Sequence, residues 1–315
     1  MQQPPEPSPA EQAATETSRA AESEATAAEA MAAEAMAAEA MAAEAGATAI
    51  ETSGADASGA AAAERLAVWL IPVLNDNYVI VLERRGQAVL VDPAVAEPVI
   101  EQLERRGLQL VAILHTHHHQ DHIGGTPGLL RRWPAAAVIA AASDRDRIPL
   151  QTRSVVDGDQ LQLLGRQLMV LAVPGHTAHH IAYYLPATPA SGEPPELLCG
   201  DTLFAAGCGR LFEGSPAQMR ASLGRFAALP DSTRVWCAHE YTEANLRWAH
   251  ACVDGADPAA VPIAKRLQAV IDCRQRGEAS IPSSIGLEKQ TNLFMRSADA
   301  EQLAQLRRHK DHWRG

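Results

Sequence analysis

The chain has 315 residues and a formal net charge of −11. Residues 1–63 hold 11 acidic side chains and one basic one, so ten of the eleven net negative charges lie there and one remains for residues 64–315. A nearly neutral body with an acidic extension offers no electrostatic attraction for nucleic acid or an anionic membrane surface, which leaves a small molecule as the expected partner. The sequence contains no run of about 18 apolar residues, so it predicts no membrane-spanning helix.

The first 63 residues contain four prolines within the first nine positions and then an Ala/Glu/Met repeat with a period of five residues. A five-residue period advances by about 140° around a helix, so the repeat forms no apolar stripe that could be buried. We therefore expect a disordered acidic tail. Its start has neither the basic region nor the apolar core of a signal peptide.

From residue 68 onwards, short apolar runs bounded by Gly, Pro, Asp or Asn predict β-strands. The runs are 68–73, 78–82, 88–91, 110–114, 136–140 and 167–173. Helix-like patterns lie between them at 98–106 and 126–132. This alternation predicts a mixed α/β fold built from layered sheets.

After residue 239 the pattern becomes helical, at 242–253, 261–277 and 298–308, with little strand signal between these segments. We predict a helical C-terminal domain there. The five cysteines are odd in number and form no C-x-x-C pair, which is typical of reduced thiols in the cytoplasm.

The strongest chemical signal is the run HTHHHQDH at residues 115–122, which follows an apolar strand. On an extended segment, His117 and His119 would point to the same side because side chains alternate with period two. Asp121 and His122, on the turn that follows, would then face a neighbouring position. The run predicts two adjacent metal sites rather than a surface histidine tract.

Completing such sites requires further donors, and isolated ones follow other predicted strands. His176 follows the strand that ends near residue 173, Asp201 follows the apolar run at 197–199, and His239 follows the run at 235–238. A lone histidine or aspartate at a strand end is usually structural. Together with the histidine run, these residues predict one shared metal centre.

At this point the chain resembles the metallo-β-lactamase superfamily, because its H-x-H-x-D-H signature is matched between His117 and His122. Beyond this motif the chain is similar to the glyoxalase II (hydroxyacylglutathione hydrolase) family from about residue 68 to the C-terminus. The similar segments are 71–78, 173–180, 200–210, 239–242 and 292–296.

The resemblance implies an αββα metallo-β-lactamase sandwich over residues 66–240 and a smaller helical substrate-binding domain over 241–315. It also implies that one metal is bound by three histidines and a second by Asp121 with two histidines, while Asp201 bridges both. The implied ligands are His117, His119, His176, Asp121, His122, His239 and Asp201. Imidazole and carboxylate donors suit zinc, with iron or manganese as alternatives, and two Zn²⁺ per chain are expected.

Two ions about 3.5–4 Å apart lower the pKa of a shared water towards neutrality and so provide a hydroxide nucleophile. By resemblance, Asp121 and Asp201 are the catalytic carboxylates. The expected reaction is hydrolysis of S-D-lactoylglutathione to glutathione and D-lactate, the second step of methylglyoxal detoxification.

The resemblance places glutathione contacts at Arg210, Tyr241 and Arg296, and it exposes two departures from the family pattern. Phe212 stands where some members have a tyrosine hydroxyl, and Asp299 stands near a position where some carry a further lysine. Phe212 is expected to cost one hydrogen bond to the glutathione moiety. The missing lysine is expected to lower glutathione affinity unless Arg307 supplies the lost charge.

Other functions fit the sequence less well. A β-lactamase would favour cysteine at position 201, a persulfide dioxygenase would lack the helical C-terminal domain, and a tRNA-processing nuclease would need a basic face. A non-catalytic binding protein of this fold would have lost at least one ligand. The remaining histidines of the motifs, His115 and His180, are expected to support the ligands or the fold. We expect a cytoplasmic monomer.

Overall fold

The computed structural model describes residues 65–314, so the expected tail at residues 1–63 lies outside the described residues. The strands are β1 (Ala67–Val73), β2 (Asn77–Arg84), β3 (Gln87–Val91), β4 (Gln109–Leu114), β5 (Ala137–Ala141), β6 (Arg153–Val155), β7 (Gln160–Leu163), β8 (Arg166–Ala172), β9 (Ile181–Leu185), β10 (Glu196–Gly200), β11 (Leu203–Phe204), β12 (Gly207–Cys208), β13 (Arg234–Cys237) and β14 (Ser283–Ser284). The α-helices are α1 (Glu97–Arg105), α2 (Gln120–Ile123), α3 (Thr126–Arg132), α4 (Pro216–Ala227), α5 (Thr242–Cys252), α6 (Ala260–Gln275), α7 (Ile285–Thr291) and α8 (Ala300–His312). None of these helices is long and apolar enough to cross a membrane.

Two six-stranded sheets form the centre of the fold. The first has the order β1-β2-β3-β4-β5-β6, in which β1, β2 and β3 pair antiparallel and β3, β4, β5 and β6 run parallel to one another. The second has the order β14-β13-β10-β9-β8-β7. A separate two-stranded ribbon joins β11 to β12.

Each sheet buries both of its faces, as strand β2 illustrates. Val79 and Val81 point to an outer core that they share with Val99 of α1, whereas Ile80 points to an inner core that it shares with Trp236 of the second sheet. Because side chains alternate along a strand, one continuous apolar run can serve two cores.

Helices cover the outer face of each sheet. The outer core of the first sheet contains Leu103 of α1 and Leu129 of α3. That of the second sheet contains side chains from the C-terminal helices, among them Leu246, Ile263 and Leu303. The layers are therefore helix, sheet, sheet, helix, as the sequence predicted.

The predicted elements that span several turns or a full apolar run agree with the structure to within about two residues, except that α8 ends at His312, four residues beyond the predicted segment 298–308. The sequence patterns did not predict α2, α4 and α7, nor the short strands β6, β7, β9, β11, β12 and β14. Strand β14 was hidden because its two serines carry no apolar pattern; it forms through backbone pairing with Arg234 and Val235 of β13. The C-terminal region, between α6 and α7, thus contributes an edge strand to the second sheet.

Candidate metal centre

The seven predicted ligands converge at one edge of the sandwich. They lie in the loops and the short helix that follow β4, β8, β10 and β13, so both sheets contribute. The seven side chains are His117, His119, Asp121, His122, His176, Asp201 and His239.

The expected extended conformation through the histidine run is wrong in detail. Strand β4 ends at Leu114, three residues before His117. Asp121 and His122 lie on the single-turn helix α2, which begins after His119 in an extended backbone conformation (φ −63°, ψ 145°). The loop places the ligand atoms, so strand alternation is not the reason that these side chains meet.

Three imidazole nitrogens form the first donor group. Nδ1 of His119 lies 3.0 Å from Nε2 of His117 and 3.1 Å from Nε2 of His176. Tetrahedral zinc with Zn–N bonds of about 2.0–2.1 Å places two ligand nitrogens roughly 3.3–3.4 Å apart, close to these separations. Burial, and then the neighbouring imidazoles, lower the pKa of His119 to about 4, so the ring is neutral and has a free lone pair.

The second donor group combines a carboxylate with two imidazoles. Oδ2 of Asp121 lies 3.7 Å from Nε2 of His122 and 3.5 Å from Nε2 of His239. The three donor atoms lie within 4.8 Å of one another. Such a mixed nitrogen and oxygen set suits a divalent ion such as zinc, manganese or iron.

Asp201 joins the two groups, one oxygen to each. Its Oδ1 lies 3.5 Å from Nε2 of His122 and 3.4 Å from Nε2 of His239. Its Oδ2 lies 3.5 Å from Nε2 of His176. This is the arrangement of a carboxylate that bridges two metal ions.

Two buried atoms of this centre test whether metal ions fit. Oδ1 of Asp201 and Nε2 of His122 have no hydrogen-bond partner within the described residues. Burial alone would raise the pKa of Asp201, yet the surrounding imidazoles, His122 foremost, hold it well below its usual range, so the carboxylate is ionised. Because a buried charged group without partners is costly, both atoms fit the role of metal ligands.

Residues of the turn between β1 and β2 orient two of the candidate ligands. Oδ1 of Asp76 lies 2.8 Å from Nδ1 of His239, which leaves Nε2 facing the centre. Asn77 donates from Nδ2 to Oδ2 of Asp121 at 3.1 Å. In the sequence this turn contributes only to the family resemblance, and no pattern there indicates a role for Asp76 or Asn77.

Asp92 is a second supporting carboxylate that sequence analysis missed. It follows β3 directly, lies 3.0 Å from Nδ1 of His122, and accepts hydrogen bonds from the Thr116 amide (2.8 Å) and hydroxyl (2.6 Å). Asp92, His117 and His122 form a third group of close donors. Because both Asp92 oxygens are already engaged, we assign it to ligand support. Asp201 was recognised as an acid directly after a predicted strand, and the same signal could have identified Asp92.

His115 and His180 occupy supporting positions. Nε2 of His180 accepts a hydrogen bond from the Asp201 amide at 3.1 Å. Burial, and then the neighbouring His176, lower the pKa of His180 to about 3, which keeps its ring neutral and able to accept. Nε2 of His115 lies 2.9 Å from the Thr126 hydroxyl at the start of α3.

The ribbon β11–β12 connects Asp201 to Arg210, and helix α7 holds this ribbon. Oε2 of Glu288 accepts the Ala206 amide at 2.8 Å, and Asn292 donates to the Gly207 carbonyl at 2.9 Å. The Arg210 carbonyl in turn lies 2.8 Å from Nδ1 of His176. The C-terminal region therefore helps to set the geometry of the metal centre.

A cavity of about 510 Å³ opens over both donor groups. Its aromatic side chains, apart from the histidines, are Phe204, Phe212, Tyr241 and Trp313. Its cationic side chains are Arg210, Arg307, Lys310 and Arg314. A ligand with an anionic part and a reactive part at the metal centre matches this lining.

The three predicted substrate-binding residues differ in position. Arg210 lines the cavity with a largely exposed side chain, and Tyr241 lines it with its ring stacked on His239 (centroids 4.9 Å apart, 6° between planes). Arg296 is not among the cavity-lining residues; it is exposed and pairs with Asp257 at 3.4 Å. Phe212, which lacks the expected hydroxyl, lies edge-on to His176.

Two family models match consecutive parts of the chain. The model described as the metallo-beta-lactamase superfamily matches residues 72–239, and that described as the hydroxyacylglutathione hydrolase C-terminus matches residues 240–313.

Curated relatives cover the same part of the chain. A hydroxyacylglutathione hydrolase of Parasynechococcus marenigrum (strain WH8102) is 59% identical over 244 residues, which is 78% of this chain and 96% of the relative. One of Prochlorococcus marinus (strain MIT 9303) is 56% identical over 251 residues, covering 80% of this chain and 95% of the relative.

Solved structures show the same fold at lower identity. ETHE1 from Myxococcus xanthus has a TM-score of 0.56 and 24% identity, covering 79% of this chain and 92% of that one. A metallo-beta-lactamase from Staphylococcus aureus has a TM-score of 0.56 and 21% identity, covering 78% and 71%. At these identities the likeness concerns the fold alone.

Proposed function

The chain belongs to the hydroxyacylglutathione hydrolase family within the metallo-β-lactamase superfamily, and from this premise we propose that it hydrolyses S-D-lactoylglutathione to glutathione and D-lactate. It is a metal-dependent thioesterase, as its curated relatives' name and its fold indicate. The observation that carries the proposal is the position of Asp201, whose two oxygens each face one complete group of three donors.

For the metal centre we propose two Zn²⁺ per chain, one held by three histidines and the other by Asp121, His122 and His239. Zinc is favoured over iron or manganese because hydrolysis needs no redox chemistry. When bound, the two ions supply a water-derived nucleophile near neutral pH and positive charge beside the thioester carbonyl. All seven ligand positions come from one chain, so a monomer suffices for a complete site.

We propose that the protein side chains supply orientation and proton transfer. Asp201 fixes the positions of the two donor groups relative to each other. Asp121, positioned by Asn77 and exposed to the cavity, can accept a proton from the attacking water. The rings of Tyr241 and Phe204, which pack edge to face at 5.1 Å, form an apolar wall that limits water near the thioester.

For glutathione we propose that Arg210 and Tyr241 contact the tripeptide at the cavity wall. Arg296 can take part only where the substrate extends beyond this cavity, because it does not line it. All five cysteines are free, which supports the proposed location in a reducing compartment such as the cytoplasm.

Metal analysis and a thioesterase assay on the same samples test this function. The wild-type chain should bind about two metal ions and hydrolyse S-D-lactoylglutathione, but neither a β-lactam nor a persulfide. His119→Ala should lower kcat/KM by at least about 100-fold, since losing even an outer contact of a metal ligand costs about 10–100-fold. His250→Ala, which changes an exposed histidine of α5, is the matched control and should leave activity and metal content unchanged. Full activity in metal-free protein would overturn the proposal.

A further inference from the structure

His118 is the one histidine within residues 117–122 that is not among the candidate ligands. Its ring lies between two carboxylates from different loops: Nδ1 is 3.6 Å from Oδ2 of Asp144, and Nε2 is 3.5 Å from Oε1 of Glu213. Asp144 ends the short turn after β5, and Glu213 lies shortly before α4. Both separations exceed the length of an ordinary N–H···O hydrogen bond, so another group is needed to hold the two acids around His118.

Arg147 joins these two carboxylates. Its Nη1 donates to Oε1 of Glu213 at 2.6 Å, while its Nε and Nη2 donate to Oδ1 of Asp144 at 3.0 and 2.5 Å. The side chain of Asp144 is fully buried, whereas those of Arg147 and Glu213 are partly exposed. Charged hydrogen bonds to a buried partner fix geometry better than exposed ion pairs do, because water and salt screen them less. We call Asp144, Arg147 and Glu213 the clamp.

Glu213 also holds the turn that carries the candidate ligand His176. Its Oε2 accepts a hydrogen bond from the Ala178 amide at 2.7 Å. The amides of Phe212 and Glu213 donate to the His176 carbonyl at 3.1 and 3.4 Å. The clamp is thus attached to this turn through the Glu213 side chain and through the backbone beside it.

We propose that Arg147 and Glu213 are positioning residues that set the affinity of the three-histidine donor group for its metal ion. One end of the clamp surrounds His118, which lies between the candidate ligands His117 and His119 in the chain. The other end holds the turn of the third histidine. The inference rests on the proposed two-metal centre, and it gives His118 a role in the histidine run without making it a ligand.

The clamp supports one donor group and not the other. Among the described residues, its hydrogen bonds reach the loops of the three histidines and no residue of the second group, which consists of Asp121, His122 and His239. Donors that are held in place before an ion binds lose less conformational entropy on binding, so this preorganisation raises affinity. Releasing the clamp is therefore expected to weaken binding of the ion at the three histidines much more than binding of the other ion.

Chelator titration of the full-length, zinc-loaded protein tests this inference. In Glu213→Ala and in Arg147→Met, one of the two ions should have a Kd about 10–100-fold higher than in wild type, the usual cost of losing an outer contact of a metal ligand. The Kd of the other ion should stay near the wild-type value. The matched control is Glu104→Ala, which removes an exposed carboxylate that accepts from Arg132 at the same distance of 2.6 Å and should leave both Kd values unchanged.

Two further variants identify the weakened ion and separate positioning from a general loss of stability. In the background of Asp121→Ala, which disables the second donor group, Glu213→Ala should cause the same loss of affinity for the ion that remains. Arg147→Lys, which keeps a cation between the two acids, should recover part of the loss. Equal weakening of both ions would mean that the clamp only supports the fold, and either that result or unchanged Kd values would overturn the inference. If one ion is weakened selectively but wild type hydrolyses no glutathione thioester, the proposed function fails and the clamp stands.

Discussion

Asp92 and Asp76 are carboxylates that touch the candidate ligands from outside the metal centre. Asp92 is 3% exposed and contacts His122, while Asp76 lies at the surface and contacts His239. Each contact leaves Nε2 of the imidazole directed at the centre, since a carboxylate favours a proton on the ring nitrogen that it faces. At the scale of single residues, the ligand atoms of His122 and His239 are thus oriented by carboxylates that are not among the seven candidate ligands.

The buried Asp92 gives a direct test of this selection. Asp92→Asn keeps the shape and an acceptor for Thr116 but removes the charge that favours a proton on Nδ1 of His122. Metal affinity and kcat/KM should fall about 10–100-fold, measured by metal titration and the thioesterase assay. Asp231→Asn, at an exposed aspartate that pairs with Lys289, is the control and should change neither quantity. Wild-type metal affinity in Asp92→Asn would refute the supporting role.

At the scale of elements, helix α8 joins two features. Asp299, which departs from the family pattern, lies at its start, and side chains near its end line the metal-centre cavity. Asp299 is the N-cap of α8, and its Oδ1 accepts the Gln302 amide at 2.9 Å. The other end of the same helix presents Arg307 and Lys310 to the cavity. An acid at position 299 is therefore explained by helix capping, and the cationic side chains of α8 that line the cavity lie about two to three turns further along the helix.

Removal of the N-cap at Asp299 is expected to lower the stability of the fold without changing substrate binding. Asp299→Ala should lower the free energy of unfolding by about 0.5–2 kcal/mol, measured by urea denaturation, because the amide of Gln302 loses its acceptor. Asp299→Asn, which can still cap, should lose much less. KM for S-D-lactoylglutathione should stay near the wild-type value in both variants. A large rise in KM would place Asp299 in the substrate site.

At the scale of the whole molecule, the candidate metal centre brings together segments that are distant in sequence. Its candidate ligands follow strands of both sheets, and the ribbon beside Asp201 is held by Glu288 and Asn292 of the C-terminal region. Ions that bind only the folded chain stabilise all of these segments together. Removing metal is therefore expected to weaken the fold as well as the chemistry.

Calorimetry with and without metal measures this coupling. Free metal at about 1,000 times its Kd stabilises the folded state by roughly 4 kcal/mol. For a domain of this size that corresponds to a Tm higher by about 8–16 °C than in chelated protein. Asp201→Ala, which removes the bridge between the two groups, should show a much smaller shift. Equal Tm values for loaded and chelated wild-type protein would contradict the coupling.

The amino-acid sequence by itself determined the layered α/β fold, the family and the seven candidate ligands. Apolar periodicity marks buried strands, and His176, Asp201 and His239 stand out because each follows such a strand. These signals are local and can be seen along the chain. Strands as short as Ser283–Ser284 were missed because backbone pairing with a distant strand, not side-chain pattern, creates them.

Only the tertiary structure decided which residues support the ligands and which cations face the substrate. Asp76 meets His239 across 163 positions of sequence, and Arg307 meets the Cys208 carbonyl across 99. Arg296 and Lys310 look equivalent as charges in the sequence, yet Arg296 pairs with Asp257 and does not line the cavity, whereas Lys310 does. These contacts join residues that are far apart in sequence, so they depend on where long-range packing places the backbone. The residue types and spacings within one segment do not contain that information.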